Sequence, residues 1–194
     1  MRPVKDQGSC GSCWAYSAVA PVEGEIAKQK GWTGDDVPSL SEQQVNDCDW
    51  PYGSEGCNGG WMSSAYDYLI NRDICTTEEY PYTGTDETCR DHICSKKNYE
   101  LMGYVNITAG KCQELEAAIQ NQPVAVAVDA TSMQFYSTGI LKPSFLCSPN
   151  SLNHGVTLMA WNAGTSWTIR NSWGGRWGEE GHCRMQIGNT CGIC

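Results

Sequence analysis

Basic residues are scarce in this 194-residue chain, and long apolar runs are missing altogether. Lys and Arg number 13 against 22 Asp and Glu, for a formal net charge of −9. A nucleic-acid backbone is held by clustered Lys and Arg, so this balance argues against a nucleic-acid partner. No stretch approaches the roughly 18 apolar residues of a membrane span, which argues against a membrane partner. The opening Met1-Arg2-Pro3-Val4-Lys5-Asp6 has no signal-peptide apolar core, and there is no internal repeat or low-complexity segment. What remains is a globular composition: 40% hydrophobic residues, enough to bury a core as one large domain or two small lobes around a cleft.

Against that background the twelve cysteines stand out. A reducing cytosol rarely hosts so many without metal, so most are expected in disulfides. The absent signal peptide then implies that the chain is a fragment or mature piece of a longer secreted precursor.

Periodicity divides the chain. Trp14, Ala18, Val22 and Ile26 recur at i, i+4, which predicts an amphipathic helix from Cys13 towards Lys30, stopped by Gly31 and kinked at Pro21. Ser41 and Gln44 predict a capping box that opens a short helix through Val45; Met62–Leu69 and Cys112–Gln120 are further helices, the last ended by Pro123. Beyond it, 123–129, Val156–Trp161, Trp167–Arg170 and His182–Ile187 read as strands separated by Gly or Asn turns. Helices first and strands afterwards predict an α+β fold of two lobes, with a cleft that takes Cys13 from one and His154 from the other.

The run Gln7-Gly8-Ser9-Cys10-Gly11-Ser12-Cys13-Trp14 puts a thiol at the start of the first helix, just after a flexible glycine turn. A thiol attacks as thiolate, and a helix N-terminus beside an imidazolium lowers a thiol pKa to roughly 3.5–7.5. His154 follows Cys13 by 141 residues and Asn171, in Asn171-Ser172-Trp173-Gly174-Gly175, by 158. The Cys10-Gly11-Ser12-Cys13-Trp14 string with a distant His and Asn resembles the papain-like cysteine proteases, in the manner of cathepsin L. The likeness runs over essentially the whole chain, and mature domains of the family extend further at both ends.

The resemblance implies a papain-like two-lobe fold: a mainly helical lobe at 1–98 carrying the nucleophile, and an antiparallel, β-barrel-like lobe at 99–194 carrying the histidine and asparagine. It implies a cysteine endopeptidase in which Cys13 attacks the peptide carbonyl and His154 first protonates the leaving amine, then activates water against the acyl-enzyme. Asn171 would orient His154 under the indole of Trp173, and Gln7 would donate to the oxyanion together with the N–H of Cys13. Gly59 and Gly60 would let a substrate backbone lie close. Trp61, Met62, Ala127, Leu152 and Gly155 would line an apolar pocket for a bulky hydrophobic residue two positions before the cut. The family pairs Cys10 with Cys57, Cys48 with Cys89 and Cys147 with Cys191, and leaves Cys75, Cys94, Cys112, Cys183 and Cys194 without an assignment. No cofactor or metal is implied. The implied partners are protein and peptide substrates, an N-terminal prosegment and cystatin-like inhibitors, for a monomer in a lysosome, vacuole or secretion.

Asn153 stands where papain has an aspartate, a departure expected to shift the pH profile; Ala160-Trp161-Asn162 replaces a usual Gly-Tyr-Gly and touches packing. Trp32, Trp50, Trp161, Trp167 and Trp177 are expected in packing roles, and Asn106-Ile107-Thr108 is a glycosylation acceptor. Two other readings stay open. Cys10-Gly-Ser-Cys13 and Cys191-Gly-Ile-Cys194 could serve as redox dithiols or zinc ligands, and the chain could be a catalytically silent binding or storage protein.

Overall fold

The structure is a computed structural model and describes residues 2–70, 72–95 and 101–194. It separates into two units with separate cores: Arg2 with Gln7–Val105, and Pro3–Asp6 with Asn106–Cys194. The change-over expected between residues 98 and 99 lies outside the described residues. Leu101–Val105 belong to the first unit, and the segment Pro3–Asp6 belongs to the second despite its place in the sequence.

The first unit is built on α1 (Cys13–Lys30), which ends on Gly31 at φ 67°, with its N–H closing the last turn. That left-handed conformation suits a residue without Cβ. Trp14 through Pro21 are all buried, so the start of α1 is a central helix and not a one-faced stripe; its Ala and Ser residues leave room for neighbours on the other sides. The core joins Trp14, Ala18, Val19 and Ile26 to Leu40, Val45, Ala65, Tyr68, Leu69 and Ile74. Buried Glu23 accepts from Leu40 N at 2.9 Å, which fixes the segment leading into α2.

The second helix, α2 (Glu42–Cys48), runs past Val45, and only half of its capping box forms. Ser41 Oγ accepts from Gln44 N at 3.0 Å, but the Gln44 side chain turns away to accept from Cys75 N at 2.7 Å and donate to Tyr68 and Asp73 O. Ser41 N instead donates to Cys75 O. A tertiary partner therefore outcompetes the local box. α3 (Met62–Leu69) buries Ala65, Tyr68 and Leu69. Of the tryptophans expected in packing roles, Trp50 is instead 46% exposed, with Nε1 donating to Asn46 O.

In the second unit, α4 (Cys112–Ile119) packs Leu115 against a sheet of β1 (Val124–Val128), β2 (Ile140–Leu141), β3 (His154–Asn162), β4 (Ser166–Arg170) and β5 (His182–Gln186). The order is β1-β3-β4-β5-β2, antiparallel except that β2 runs parallel to β5, so the sheet is mixed. Two residues give no alternation to read, and β2 is held by side chains. Glu179 accepts from Gly139 N, Thr138 Oγ1 and Arg184, and Tyr136 OH donates to Gly139 O. A bulge between Leu158 and Ala160 bends β3 before Trp161 pairs with Trp167.

Five disulfides join Cys10 to Cys57, Cys48 to Cys89, Cys75 to Cys94, Cys112 to Cys194 and Cys147 to Cys191. Four of the five unassigned cysteines thus pair with each other. The dithiol and zinc readings fail, because Cys10, Cys191 and Cys194 are each bonded elsewhere, and the Cys48, Cys89 and Asp91 cluster contains a disulfide. Cys13, half-buried, and Cys183, fully buried, are outside any disulfide.

Burial pushes the Cys183 thiol up to about 12. Iodoacetamide at pH 7 without reductant is therefore expected to label one thiol per native chain and two after denaturation. A third labelled thiol would contradict the disulfide set. In the first unit, Asp49 is fully buried, with the Ser54 hydroxyl and the Asp67 charge as the groups that act on its carboxyl. Burial raises its pKa from 3.8 to about 7; a hydrogen bond from Ser54 partly offsets this and the Asp67 charge adds to it. A folded pKa above the unfolded one contributes least to stability once both are exceeded, so the contribution of Asp49 should fall as pH rises from 4 to 7. Denaturant melts of wild type and Asp49→Asn should show that slope reduced in the variant, and equal slopes would refute the assignment.

Candidate functional site

In the first unit, Cys13 is the first residue of α1, so its sulfur sits where the helix concentrates partial positive charge. The disulfide from Cys10 to Cys57 removes the neighbouring thiol as a partner. Gly11 lies so close to Cys57 that a Cβ would come within 2.4 Å of its carbonyl oxygen, and Gly11 N donates to that oxygen at 2.9 Å. The approach strand of the nucleophile is thus pressed against residue 57 in a way only glycine permits. Buried Gln7 donates from Nε2 to Cys10 O at 2.9 Å. Tyr82 OH donates to Gln7 O at 2.8 Å and lies 2.8 Å from Ser12 Oγ.

The expected backbone-binding wall is in the same unit. Gly59 has φ 123°, and a Cβ on Gly60 would lie 2.7 Å from the buried Trp14 ring. Trp61 caps α3 and is 60% exposed, while Met62 opens that helix and packs on the core.

In the second unit, His154 is the first residue of β3 and pairs with Val128 of β1. Thr157 pairs with Arg170 across β3 and β4, and the same register continued outward sets His154 opposite Trp173, just past the end of β4. The rings stack accordingly, with centroids 4.8 Å apart and planes 28° from parallel. Trp177 meets Trp173 edge-on at 5.2 Å. Asn171 Oδ1 lies 2.7 Å from His154 Nε2 and accepts from Ser172 N at 2.9 Å.

A backbone N–H is an obligatory donor, so the Asn171 atom facing it is the oxygen, and the nitrogen of His154 facing the same oxygen must carry a proton. This assigns the proton of neutral His154 to Nε2 and its lone pair to Nδ1. Burial lowers the pKa of His154 from 6.5, and the bond to Asn171 partly offsets this by favouring the charged ring. Asn171 Nδ2 is buried without a partner among the described residues, a state that costs about 1–3 kcal/mol.

Asn153, exposed beside His154, is fixed from below: N donates to Val128 O at 3.0 Å, Oδ1 accepts from Ala130 N at 2.9 Å, and Nδ2 donates to Asp129 at 3.3 Å. The buried acid nearest this position is therefore Asp129 in the chain's own β1 turn; bonds from Thr131 and Ser148 hold its carboxyl below the usual range. Ala127 and buried Gly155 face each other across β1 and β3. Leu152 is 41% exposed and lies over Gly192, where a Cβ would come within 2.5 Å of its side chain. Asn106 is exposed. Tyr82, Ser12 and Asp129 escaped the sequence reading. Tyr82 lies 75 residues from the glutamine it contacts, and no spacing rule links them.

The chain matches the papain family cysteine protease profile over residues 1–194. It is 47% identical over 194 residues to "Cathepsin L 2" of Paramecium tetraurelia, covering 98% of this chain and 57% of that protein. It is 41% identical over 203 residues to "Digestive cysteine proteinase 2" of Homarus americanus, covering 100% of this chain and 61% of the relative. The chain thus spans less than two thirds of the length of these relatives. Among solved structures, the Carica candamarcensis cysteine protease CMS1MS2 in complex with E-64 superposes with a TM-score of 0.89 at 34% identity, over 98% of this chain and 88% of that one. Digestive procathepsin L 3 of Tenebrio molitor larval midgut does so with a TM-score of 0.87 at 42% identity, over 98% and 63%. On sequence and fold together, the chain belongs to the papain family of cysteine proteases.

Proposed function

We propose that this chain is the catalytic part of a cysteine endopeptidase of the cathepsin L type, acting through a thiolate–imidazolium pair and an acyl-enzyme. The observation that carries the proposal is the hydrogen bond from His154 to Asn171 beneath Trp173. It commits Nε2 to Asn171 and reserves Nδ1 for proton transfer. The sulfur of Cys13 attacks the peptide carbonyl, and His154 gives its Nδ1 proton to the leaving amine. Nδ1 then takes a proton from water, whose oxygen attacks the acyl carbon and releases the acid. Gln7 and the N–H of Cys13 stabilise the oxyanion in both steps.

The apolar character of Trp61 and Met62, which follow Gly59 and Gly60 in the first unit, and of Ala127, Leu152 and Gly155 in the second, supports a preference for a bulky hydrophobic residue two positions before the cut. Five disulfides favour an oxidising setting, a lysosome, vacuole or secretion. A solved relative is a proform, which supports an N-terminal prosegment for this protein, and a cystatin-like inhibitor would address the same site.

At pH 5–6 the protein should hydrolyse a fluorogenic Phe-Arg peptide amide and be trapped by a thiol-directed epoxide, with both lost in Cys13→Ala. A folded wild type as inert as that variant would rule the activity out. Burial disfavours the imidazolium, so the charged ring depends on the thiolate. In Cys13→Ala, NMR should therefore show His154 titrating below its ordinary value of about 6.5, and below its own midpoint in the wild type. Identical midpoints would exclude the ion pair.

A further inference from the structure

We propose that Tyr82 is a positioning residue for the oxyanion donors, an inference that rests on the role given to Gln7 above. The phenol has one proton, and it goes to Gln7 O at 2.8 Å; the Ser12 hydroxyl, also at 2.8 Å, is then the donor to the phenol oxygen. A single oxygen therefore ties both ends of the segment from Gln7 to Ser12. Gln7 supplies the side-chain amide, and the Ser12–Cys13 peptide carries the second oxyanion donor.

What Ser12 does not do strengthens the case. Serine is among the preferred N-cap residues, normally accepting from the N–H of N2 or N3. Ser12 occupies the N-cap of α1 and makes no side-chain cap bond. Its hydroxyl goes to Tyr82, so the side-chain cap is absent where the N-terminal field of α1 meets the thiol.

Tyr82 itself is braced on two sides. Its ring meets Tyr16 of α1 edge-on at 5.3 Å, and the next residue, Thr83, donates from N to buried Gln43 of α2 at 2.9 Å. Within the segment, Gly8 at φ 60°, the bond from Gln7 Nε2 to Cys10 O and the Cys10–Cys57 disulfide set the path between the two anchored ends. Releasing Tyr82 frees the ends while leaving the sulfur at the start of the same helix.

The test separates reactions that form an oxyanion from one that does not. Peptide hydrolysis builds negative charge on the carbonyl oxygen. Alkylation by iodoacetamide is a displacement in which sulfur takes the methylene carbon and iodide leaves, with no oxyanion. Tyr82→Phe is expected to lower kcat on the peptide amide about tenfold, with KM within a factor of about two and the alkylation rate and its pH dependence unchanged. Ser12→Ala, which removes only the second bond, should move kcat the same way by less. Gln7→Ala should lower kcat by about a hundredfold, and adding Tyr82→Phe to it should cost less than Tyr82→Phe alone. Tyr82→Phe turnover equal to wild type, or turnover and alkylation falling together, would overturn the proposal while Gln7→Ala remains impaired. Full turnover in Gln7→Ala would instead remove the reading of Gln7 on which it stands.

Discussion

All seven residues of α2 are buried, and Gln43, Gln44, Asn46 and Asp47 bring polar side chains into the first unit where each must find partners. A buried polar group left unmatched costs about 1–3 kcal/mol, so these side chains dictate the course of whatever passes them. Gln44 takes Cys75 N and Gln43 takes Thr83 N. Asp47 accepts from Tyr80 OH and Glu87 N, and Asn46 reaches Asp86, which in turn holds Cys57 N. Residues 77–90 form no helix or strand and take their shape from α2. Tyr82 lies on that stretch, so the geometry around Gln7, Ser12 and Cys13 descends from a polar helix that touches none of them through the bonds described.

The second unit reaches comparable precision through register. Antiparallel pairing of β3 with β4 decides that the residue opening one strand faces the residue three past the end of the other. A slip of one residue would send the His154 ring to the opposite face and break the stack on Trp173 and the bond to Asn171 together. Buried Val156, Leu158, Trp167 and Ile169 guard against that slip, because shifting them would expose the core. Asp129 adds a second lock from β1, holding Asn153 and Ser148 at once. The histidine is thereby positioned by packing distributed over a sheet, whereas the thiol is positioned by its helix terminus and a few loop bonds.

That contrast explains what could be read from the sequence. Helical and alternating patterns are local, so α1, α3, α4 and the four longer strands were legible to within a few residues. The string around Cys13 and the distant His154 and Asn171 could be named as candidates because their spacing is characteristic, and the structure brings His154 and Asn171 into contact. The extension of α2 to Cys48 was not, since its buried face is polar and carries no apolar period. β2 was not, because two residues cannot show a period and side chains of Glu179 and Tyr136 hold it. Nor were the Cys75–Cys94 and Cys112–Cys194 bridges, whose partners only the fold brings together. Tyr82 belongs with these: a tyrosine in a turn-rich stretch looks like any other until the oxygen atoms it joins are seen.

The two units make opposite demands on pH. In the first, burial raises both Asp47 and Asp49, so unfolding in neutral solution releases carboxyls to ionise and the fold is favoured by acid. In the second, hydrogen bonds hold Asp129 below its usual range and Arg184 holds Glu179 down to about 2. Their contribution is present above the ordinary carboxylate range and is lost as pH falls through it. The neutral edge of stability is thus set by the first unit and the acid edge by the second.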